Sequence, residues 1–132
     1  MKKLLLSILF FQTVLLAAYQ DEEMAVKVLE KIFASIDIGQ ELKIYSNDKG
    51  IESEFAKRKK FSVVSRCENA SLLVLTDEVE LDKGCKNRAT FVMSYELLRK
   101  NKQSFGAFFW KKGRPNIILL KPRMESQNIS TS

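Results

Sequence analysis

Apolar residues along the chain follow two different spacings. Between residues 22 and 36 they recur every third or fourth position, which is the spacing of a helix that buries one face. The apolar positions of this helix are Met24, Val28, Leu29, Ile32, Phe33 and Ile36. Residues 71–76 and 89–94 form short continuous apolar runs instead, as is typical of strands that are covered on both faces. The sequence therefore predicts a helix followed by a core built on buried strands.

Shorter patterns supply the remaining elements. Strands are predicted over 42–45 and 61–65, helices over 51–60 and 95–102, and a hairpin over 107–110 and 116–121 with a loop of about five residues. The polar residues 121–132 are predicted to begin a last helix or to form a tail. Strands that alternate with short helices indicate an α/β fold. We expect a small Rossmann-like open sheet, mostly parallel, that ends in the C-terminal hairpin.

The N-terminus has the pattern of a secretory signal peptide. Met1-Lys2-Lys3 is a basic start, and residues 4–18 are an apolar run interrupted by only three polar residues. This run suits a signal peptide better than a membrane span, which needs about 20 residues. We predict that residues 1–18 are the signal peptide and that residues 19–132 form one periplasmic domain. The alternative is an uncleaved N-terminal anchor, and both interpretations place the domain outside the cytoplasmic membrane.

Removal of the signal peptide changes the charge of the chain. The full sequence has 22 Lys and Arg against 16 Asp and Glu, which gives a formal charge of +6. Lys2 and Lys3 leave with the signal peptide, so the charge of the exported domain falls to +4. Because that charge is modest and the domain is exported, we expect no nucleic-acid partner.

Composition excludes several kinds of chemistry. The chain has no histidine, which rules out serine and cysteine triads, histidine metal sites and most acid–base relays. Two cysteines are too few for a four-cysteine zinc site. The five glycines are scattered and form no phosphate-binding or dinucleotide-binding motif. We therefore expect no catalytic residues, no cofactor and no metal site, and we predict that the protein is not an enzyme.

The two cysteines are predicted to form a disulfide. In an oxidising compartment a cysteine pair is a disulfide by default. Cys67 lies just upstream of the apolar run 71–76, and Cys85 lies just upstream of the run 89–94. If these strands are parallel neighbours, both thiols reach the same edge of the sheet, where a bridge needs Cα atoms roughly 4.4–6.8 Å apart. A redox-active pair is the alternative, but the cysteines lack the CxxC spacing of such pairs.

One acidic loop is a candidate small-ligand site. Asp77, Glu78 and Asp82 follow the apolar run 71–76. Open α/β sheets bind ligands at the carboxyl ends of their strands, so this loop would lie at the favoured edge. The alternative interpretation is a polar surface loop. An enzyme that uses carboxylates alone, such as Glu78 with Asp82, is a third hypothesis.

The predicted hairpin carries the most unusual side chains. Both faces of its first strand, residues 107–110, are apolar, although only one can face the core if the hairpin lies at an edge. Tryptophan and arginine are common anchors of protein interfaces. In the alternative interpretation a helix covers the second face, and the aromatic residues are core. The residues predicted to contact a partner are Phe108, Trp110, Lys111, Lys112 and Arg114.

The order of these features resembles a family of exported regulators. The first helix is followed by a strand with a polar turn at residues 43–48, by Cys67 before a buried strand, by a second buried strand that ends at Ser94, and by a Gly-aromatic hairpin over 106–120. Across residues 24–130 this order is similar to the YfiR-like periplasmic proteins, which restrain an inner-membrane diguanylate cyclase or accompany sensor kinases. The resemblance implies a non-enzymatic role and an inner-membrane signalling protein as partner.

Two main classes of function are compatible with these features. The first is a periplasmic regulatory domain, a monomer or a homodimer, that docks its hairpin on the outer part of a membrane signalling protein. The second is a small-ligand-binding module related to periplasmic solute receptors. A ligand that binds only the folded state raises its thermal stability, and this effect distinguishes the second class from the first.

Overall fold

The structure, a computed structural model, describes residues 22–131, and the predicted signal peptide lies outside this range. Helix α1 covers residues 22–34. The later elements are β1 (Ile36–Asp37), β2 (Lys43–Ser46), α2 (Lys49–Ala56), β3 (Ser62–Val63), a 3₁₀ turn (Cys67–Asn69), β4 (Leu72–Leu75), β5 (Ala89–Val92), α3 (Tyr95–Lys100), β6 (Ser104–Lys111), β7 (Arg114–Leu119), α4 (Lys121–Ser126) and β8 (Ser130–Thr131). Within the described range, no helix has the length and apolar character needed to cross a membrane.

Six strands form one mostly parallel sheet with the order β3-β2-β4-β5-β6-β7. Strands β2 to β6 run parallel to their neighbours, and only β7 is antiparallel. A separate antiparallel pair joins β1, which directly follows α1, to β8 at the C-terminal end of the described residues. The predicted fold is thereby confirmed: an α/β protein with a small Rossmann-like open sheet and a C-terminal hairpin.

The central strand β4 is covered on both faces, as its continuous apolar sequence predicts. All four of its residues are buried. Leu72 and Val74 belong to the cluster formed with α1, α2 and α4, whereas Leu73 and Leu75 belong to the cluster formed with α3. Because successive side chains of a strand point to opposite faces, a strand between two layers needs apolar residues at every position.

A bulge in β6 brings an additional aromatic ring into the larger cluster. The register between β5 and β6 shifts between Thr90 and Phe91, and this leaves Phe105 as an extra residue on β6. The ring of Phe105 lies 5.7 Å from that of Phe91, centroid to centroid. Glycine is required at position 106, because a Cβ there would lie 2.8 Å from the carbonyl oxygen of Ile118 and 2.9 Å from the Phe91 ring. The bulge and its glycine fix the place where the hairpin leaves the core.

Several predicted helix boundaries are wrong, and local contacts explain two of the differences. Helix α2 ends at Ala56 rather than at residue 60. Helix α1 ends at residue 34 rather than 36, because Ile36–Asp37 pairs with Ser130–Thr131. Helix α2 begins at Lys49 rather than 51, because the Asp48 carboxylate accepts hydrogen bonds from the first backbone N–H groups of the helix. Helix α3 ends at Lys100 rather than 102. Of the two predictions for residues 121–132, the last helix is correct, since α4 lies there.

An ion-pair network joins α1 to the end of α2. The Arg58 Nε atom lies 3.2 Å from Glu30 Oε2, and Arg58 Nη1 lies 3.4 Å from Glu54 Oε2. Lys57 Nζ lies 3.0 Å from the other carboxylate oxygen of Glu54. The hydrogen bond from Lys57, and after it that from Arg58, holds the pKa of Glu54 below its ordinary value of 4.5 against the opposing effect of burial. Part of the basic run at residues 57–60 therefore stabilises the packing of two helices.

The Glu54→Gln variant is expected to be less stable than the parent at neutral pH, by about 0.5–1 kcal/mol. A carboxyl whose pKa is lower in the folded state stabilises the fold above its unfolded pKa, and this stabilisation is lost as the pH falls through the folded value. The difference between parent and variant should therefore be present at pH 7 and disappear as the pH falls below 4.5. Urea unfolding at several pH values measures the difference in free energy of unfolding between parent and variant. A difference that does not change with pH would contradict the ion-pair network.

Candidate functional site

The hairpin formed by β6 and β7 is longer, and its turn tighter, than the sequence predicts. The two strands pair up to a two-residue loop, Lys112-Gly113, so the predicted loop of about five residues is wrong. Both loop residues have positive φ, 53° at Lys112 and 74° at Gly113. Such turns match the right-handed twist of paired strands, and glycine adopts them without strain. The tight turn extends the paired strands, so residues 110–115 belong to the strands and their turn.

The register of the hairpin determines which side chains share a face. Phe108 lies opposite Ile117, and Trp110 lies opposite Pro115. Residues directly opposite one another have side chains on the same face of a sheet. The face of β6 that carries Phe108 and Trp110 is therefore continued across β7 by apolar residues.

Phe108 is a core residue, which corrects its prediction as a surface contact. Its side chain is fully buried in the cluster formed with α1, α2 and α4. The opposite face of β6 is also covered, since Ala107 and Phe109 pack in the cluster with α3. For most of β6 the interpretation with a covered second face is therefore the correct one. The exception is Trp110, whose ring lies 5.7 Å from that of Phe108 and remains 42% exposed.

An exposed apolar strip lies where the covered part of the hairpin ends. We call Trp110, Pro115, Ile117 and Leu119 the hairpin strip. Ile117 is 50% exposed and Leu119 is 38% exposed, and Pro115 is also exposed. A single exposed apolar residue is common on protein surfaces, but a contiguous group on one face is typical of an interaction site. The strip is continuous with the core through the ring contact between Trp110 and Phe108.

Three basic side chains surround the turn at the end of the strip. Lys111, Lys112 and Arg114 are all exposed, and no ion pair joins any of them to another described residue. Lysine and arginine on an exposed strand end also discourage nonspecific pairing of sheet edges. The structure therefore brings together four of the five predicted contact residues, Trp110 and the three basic ones, at one end of the hairpin.

The predicted acidic ligand site lies along an open groove. Asp77, Glu78 and Asp82 are exposed and line a groove of about 950 Å³ between the loop over residues 76–88 and helix α3. Glu78 Oε2 lies 3.7 Å from Lys100 Nζ across this groove, and both side chains are mostly exposed. Exposed carboxylates that face lysines are common on protein surfaces. This arrangement is typical of a polar surface loop, which is the alternative interpretation of these three acidic residues.

The disulfide ties this loop to the sheet. Cys67 and Cys85 are bonded, with Cα atoms 5.8 Å apart. Arg88 strengthens the same connection, because its Nη2 atom donates a hydrogen bond of 2.9 Å to the carbonyl oxygen of Glu68. Glu68 lies close to both sulfur atoms, but these sulfurs are joined to each other and offer no thiolate to a metal. The cysteine pair predicted from the strand order is confirmed.

A second cavity lies at the amino ends of β4, β5 and β6. It has a volume of about 480 Å³, and its lining contains Arg88, Lys102 and Gln127 but no acidic residue. Two of its lining residues, Arg88 and Gln127, each have one buried polar atom, Nε and Oε1, without a hydrogen-bond partner among the described residues. Buried polar atoms without partners are rare in folded proteins. Local sequence patterns do not predict this cavity, because its lining comes from five separate parts of the chain.

The surface residues Pro115, Ile117 and Leu119 are also not among the predicted contact residues. The segment from Asn116 to Leu120 is almost entirely apolar and therefore has the pattern of a buried strand. A signal was nevertheless present: proline is largely confined to edge strands within sheets, so Pro115 marks β7 as an edge.

Comparison of the chain with models of known protein families and with curated proteins finds no match.

Proposed function

We propose that this chain is an exported, non-enzymatic regulatory domain that binds the outer part of an inner-membrane signalling protein through the hairpin strip. The observation that carries the proposal is the exposure of Trp110, Ile117 and Leu119 on one face of the hairpin. Leaving three large apolar side chains in water forgoes the stabilisation that burial would give. A partner that covers these side chains recovers that stabilisation. Tryptophan is among the residues that most often dominate binding energy.

The charge at the turn indicates the chemistry of the partner surface. Lys111, Lys112 and Arg114 border the strip and carry three positive charges. Charged rims around an apolar centre steer association and select partners with the opposite charge. The partner surface is therefore apolar where it meets Trp110 and acidic where it meets the turn.

The disulfide supports the proposed compartment. Bridges of this kind persist in oxidising compartments such as the bacterial periplasm and are rare in the cytosol. The apolar N-terminal run supplies the route of export. An exported regulator would meet membrane signalling proteins at their outer segments, and the order of elements along the chain, which resembles the YfiR-like proteins, suggests the diguanylate cyclase or sensor kinase type.

Site-specific photocrosslinking in intact cells tests the proposal. Leu119 is replaced by the photoreactive p-benzoylphenylalanine, and Ser53 on α2 is replaced in a matched control. Ser53 is also exposed, but α2 packs beside β2 and β3 at the other edge of the sheet. We expect Leu119, but not Ser53, to crosslink to a membrane signalling protein, and we expect Trp110→Ala to reduce the yield at least tenfold.

The outcome depends on the fold of the Trp110→Ala variant, so its thermal unfolding is measured in parallel. If that variant unfolds, Arg114→Glu replaces it, because Arg114 is exposed and outside the core. Equal crosslinking from Leu119 and Ser53, or none from Leu119, would overturn the proposal.

A small-ligand-binding module is a second candidate, favoured by the cavity at the amino ends of the strands. Its lining includes Arg88 and Gln127, whose buried atoms, the cationic donor Nε and the acceptor Oε1, have no hydrogen-bond partner among the described residues. A small carboxylate that also carries a hydroxyl donor would match both. Lactate, tartrate and citrate are suitable probes: at least one should raise the melting temperature of the parent, and none should raise that of Arg88→Gln. No rise in the parent would exclude this candidate.

A further inference from the structure

We propose that the partner binds as an extended strand on the outer edge of β7 and adds a seventh strand to the sheet. This inference rests on the proposed function, since it specifies how the same hairpin strip is occupied. The occupant is a segment with apolar residues at alternate positions and an acidic residue near the turn. The proposal is carried by three observations: an open strand edge, exposed apolar side chains on that edge, and the position of one proline.

The outer edge of β7 is open among the described residues. Strand β7 is the last strand of the sheet, and β6 is its only described neighbour. The backbone N–H of Leu120 donates a hydrogen bond of 2.8 Å to the carbonyl oxygen of Phe105. In an antiparallel pair, alternate residues bond to the partner strand, so residues 114, 116, 118 and 120 bond to β6. The N–H and C=O groups of Ile117 and Leu119 therefore point away from the sheet.

The residues with outward backbone groups are also those with exposed apolar side chains. Ile117 and Leu119 are 50% and 38% exposed. A strand that pairs with them would place its own side chains about 5.5 Å from theirs, on the same face. Each added apolar residue would thus gain backbone hydrogen bonds and side-chain contact at the same position. This combination is typical of partners that bind by strand addition, where the backbone supplies affinity and alternate side chains supply specificity.

Pro115 and the basic turn limit how far the added strand extends. The backbone of Pro115 faces the outer edge of β7, as that of Ile117 does, but proline has no N–H group to donate there. Proline and lysine are devices by which proteins prevent pairing at an open edge. Here they protect only the half of β7 next to the turn, and the half with Ile117 and Leu119 is unprotected. The pairing segment therefore covers Ile117 and Leu119, and its acidic residue meets the turn beyond them.

The charges of β7 favour a different chain over a second copy of this one. The charged residues of β7, of the turn and of the adjoining end of β6, Arg114, Lys112 and Lys111, are all basic. A second β7 edge would therefore bring no acidic group to meet them. A partner segment with an acidic residue satisfies both the backbone edge and the charge of the turn.

Crosslinking from Leu119 in two further backgrounds tests strand addition. Ile117→Pro removes the outward N–H group of Ile117, whereas Ile117→Ala keeps it and shortens only the side chain. Because residue 117 makes no backbone bond to β6, we expect both variants to unfold within a few degrees of the parent. Strand addition predicts that the crosslink to the membrane protein falls at least tenfold in Ile117→Pro and about threefold or less in Ile117→Ala.

Each remaining outcome decides between the proposals. Equal losses of crosslink yield in Ile117→Pro and Ile117→Ala would overturn strand addition and leave the proposal of docking on the hairpin strip intact. A crosslinked product made of two copies of this chain would overturn the choice of occupant. If the parent forms no crosslink, both the proposed function and this inference fail.

A second pair of variants keeps the test decisive if Ile117→Pro does not fold. The photoreactive residue is then placed at position 117, and Leu119→Pro is compared with Leu119→Ala. Residue 119 has the same outward orientation of its backbone groups as residue 117, so the same difference in crosslink yield is expected. Equal yields from Leu119→Pro and Leu119→Ala would again overturn strand addition.

Discussion

Replacing both cysteines with alanine is expected to lower the free energy of unfolding by about 3 kcal/mol. The bridge joins residues 18 positions apart, so in the unfolded chain it closes residues 67–85, and in the folded chain it ties the loop over residues 76–88 to the sheet. This loop connects the parallel strands β4 and β5 without a helix. Cys85 is fully buried, so alanine is the suitable replacement because a serine would bury an additional hydroxyl.

Denaturant unfolding of the oxidised parent and of the double variant measures this loss. The parent in the presence of a reductant is the matched control, because it loses the bridge without any change of sequence. Both should unfold at a clearly lower denaturant concentration than the oxidised parent. A loss below about 1 kcal/mol in the double variant would contradict the role given to the bridge.

The Phe91→Ala variant is expected to lose about 3–5 kcal/mol of stability. The ring of Phe91 is fully buried on β5, and its centroid lies 5.4 Å from that of Phe33 on α1 and 5.7 Å from that of Phe105 in the β6 bulge. Its removal leaves a cavity between a helix and two strands, and Gly106 offers no side chain to fill it. For a single small domain this loss is a large fraction of the total stability.

Tyr95→Ala is the matched control for this prediction. Tyr95 also has an aromatic neighbour, with its ring centroid 6.2 Å from that of Phe109, but its side chain is 51% exposed. Its truncation should cost less than about 1 kcal/mol, since little apolar surface returns to water. Similar losses in both variants would contradict the assignment of Phe91 to the centre of the core.

The parts of the fold that the sequence predicts are those determined by local patterns. Continuous apolar runs identify β4 and β5 as buried strands. The disulfide follows from the same argument, because β4 and β5 are parallel neighbours with Leu72 opposite Ala89. Each of these predictions depends on a few adjacent residues or on one pair of neighbouring strands.

The parts that the sequence does not predict depend on distant contacts. The β6 bulge at Phe105 follows from the register with β5, and β1 exists only because β8 returns to pair with it. The surface exposure of Ile117 follows from the position of β7 at the end of the strand order, whereas its local sequence is that of a buried strand. The prediction for Phe108 is wrong for the same reason, since the residues that cover it come from remote segments.

The hairpin strip contains the only tryptophan of the chain, so one spectroscopic label reports whether a partner covers the strip. Trp110 is labelled as 5-fluorotryptophan, and the single ¹⁹F resonance of the exported domain is recorded with membranes from the cells that produce this protein. The control sample contains protein-free vesicles of the same lipids. We expect the resonance to shift or broaden with the native membranes only, and we expect Arg114→Glu to prevent the change. An unchanged resonance, or the same change with lipid alone, would contradict docking of the hairpin strip on a membrane protein.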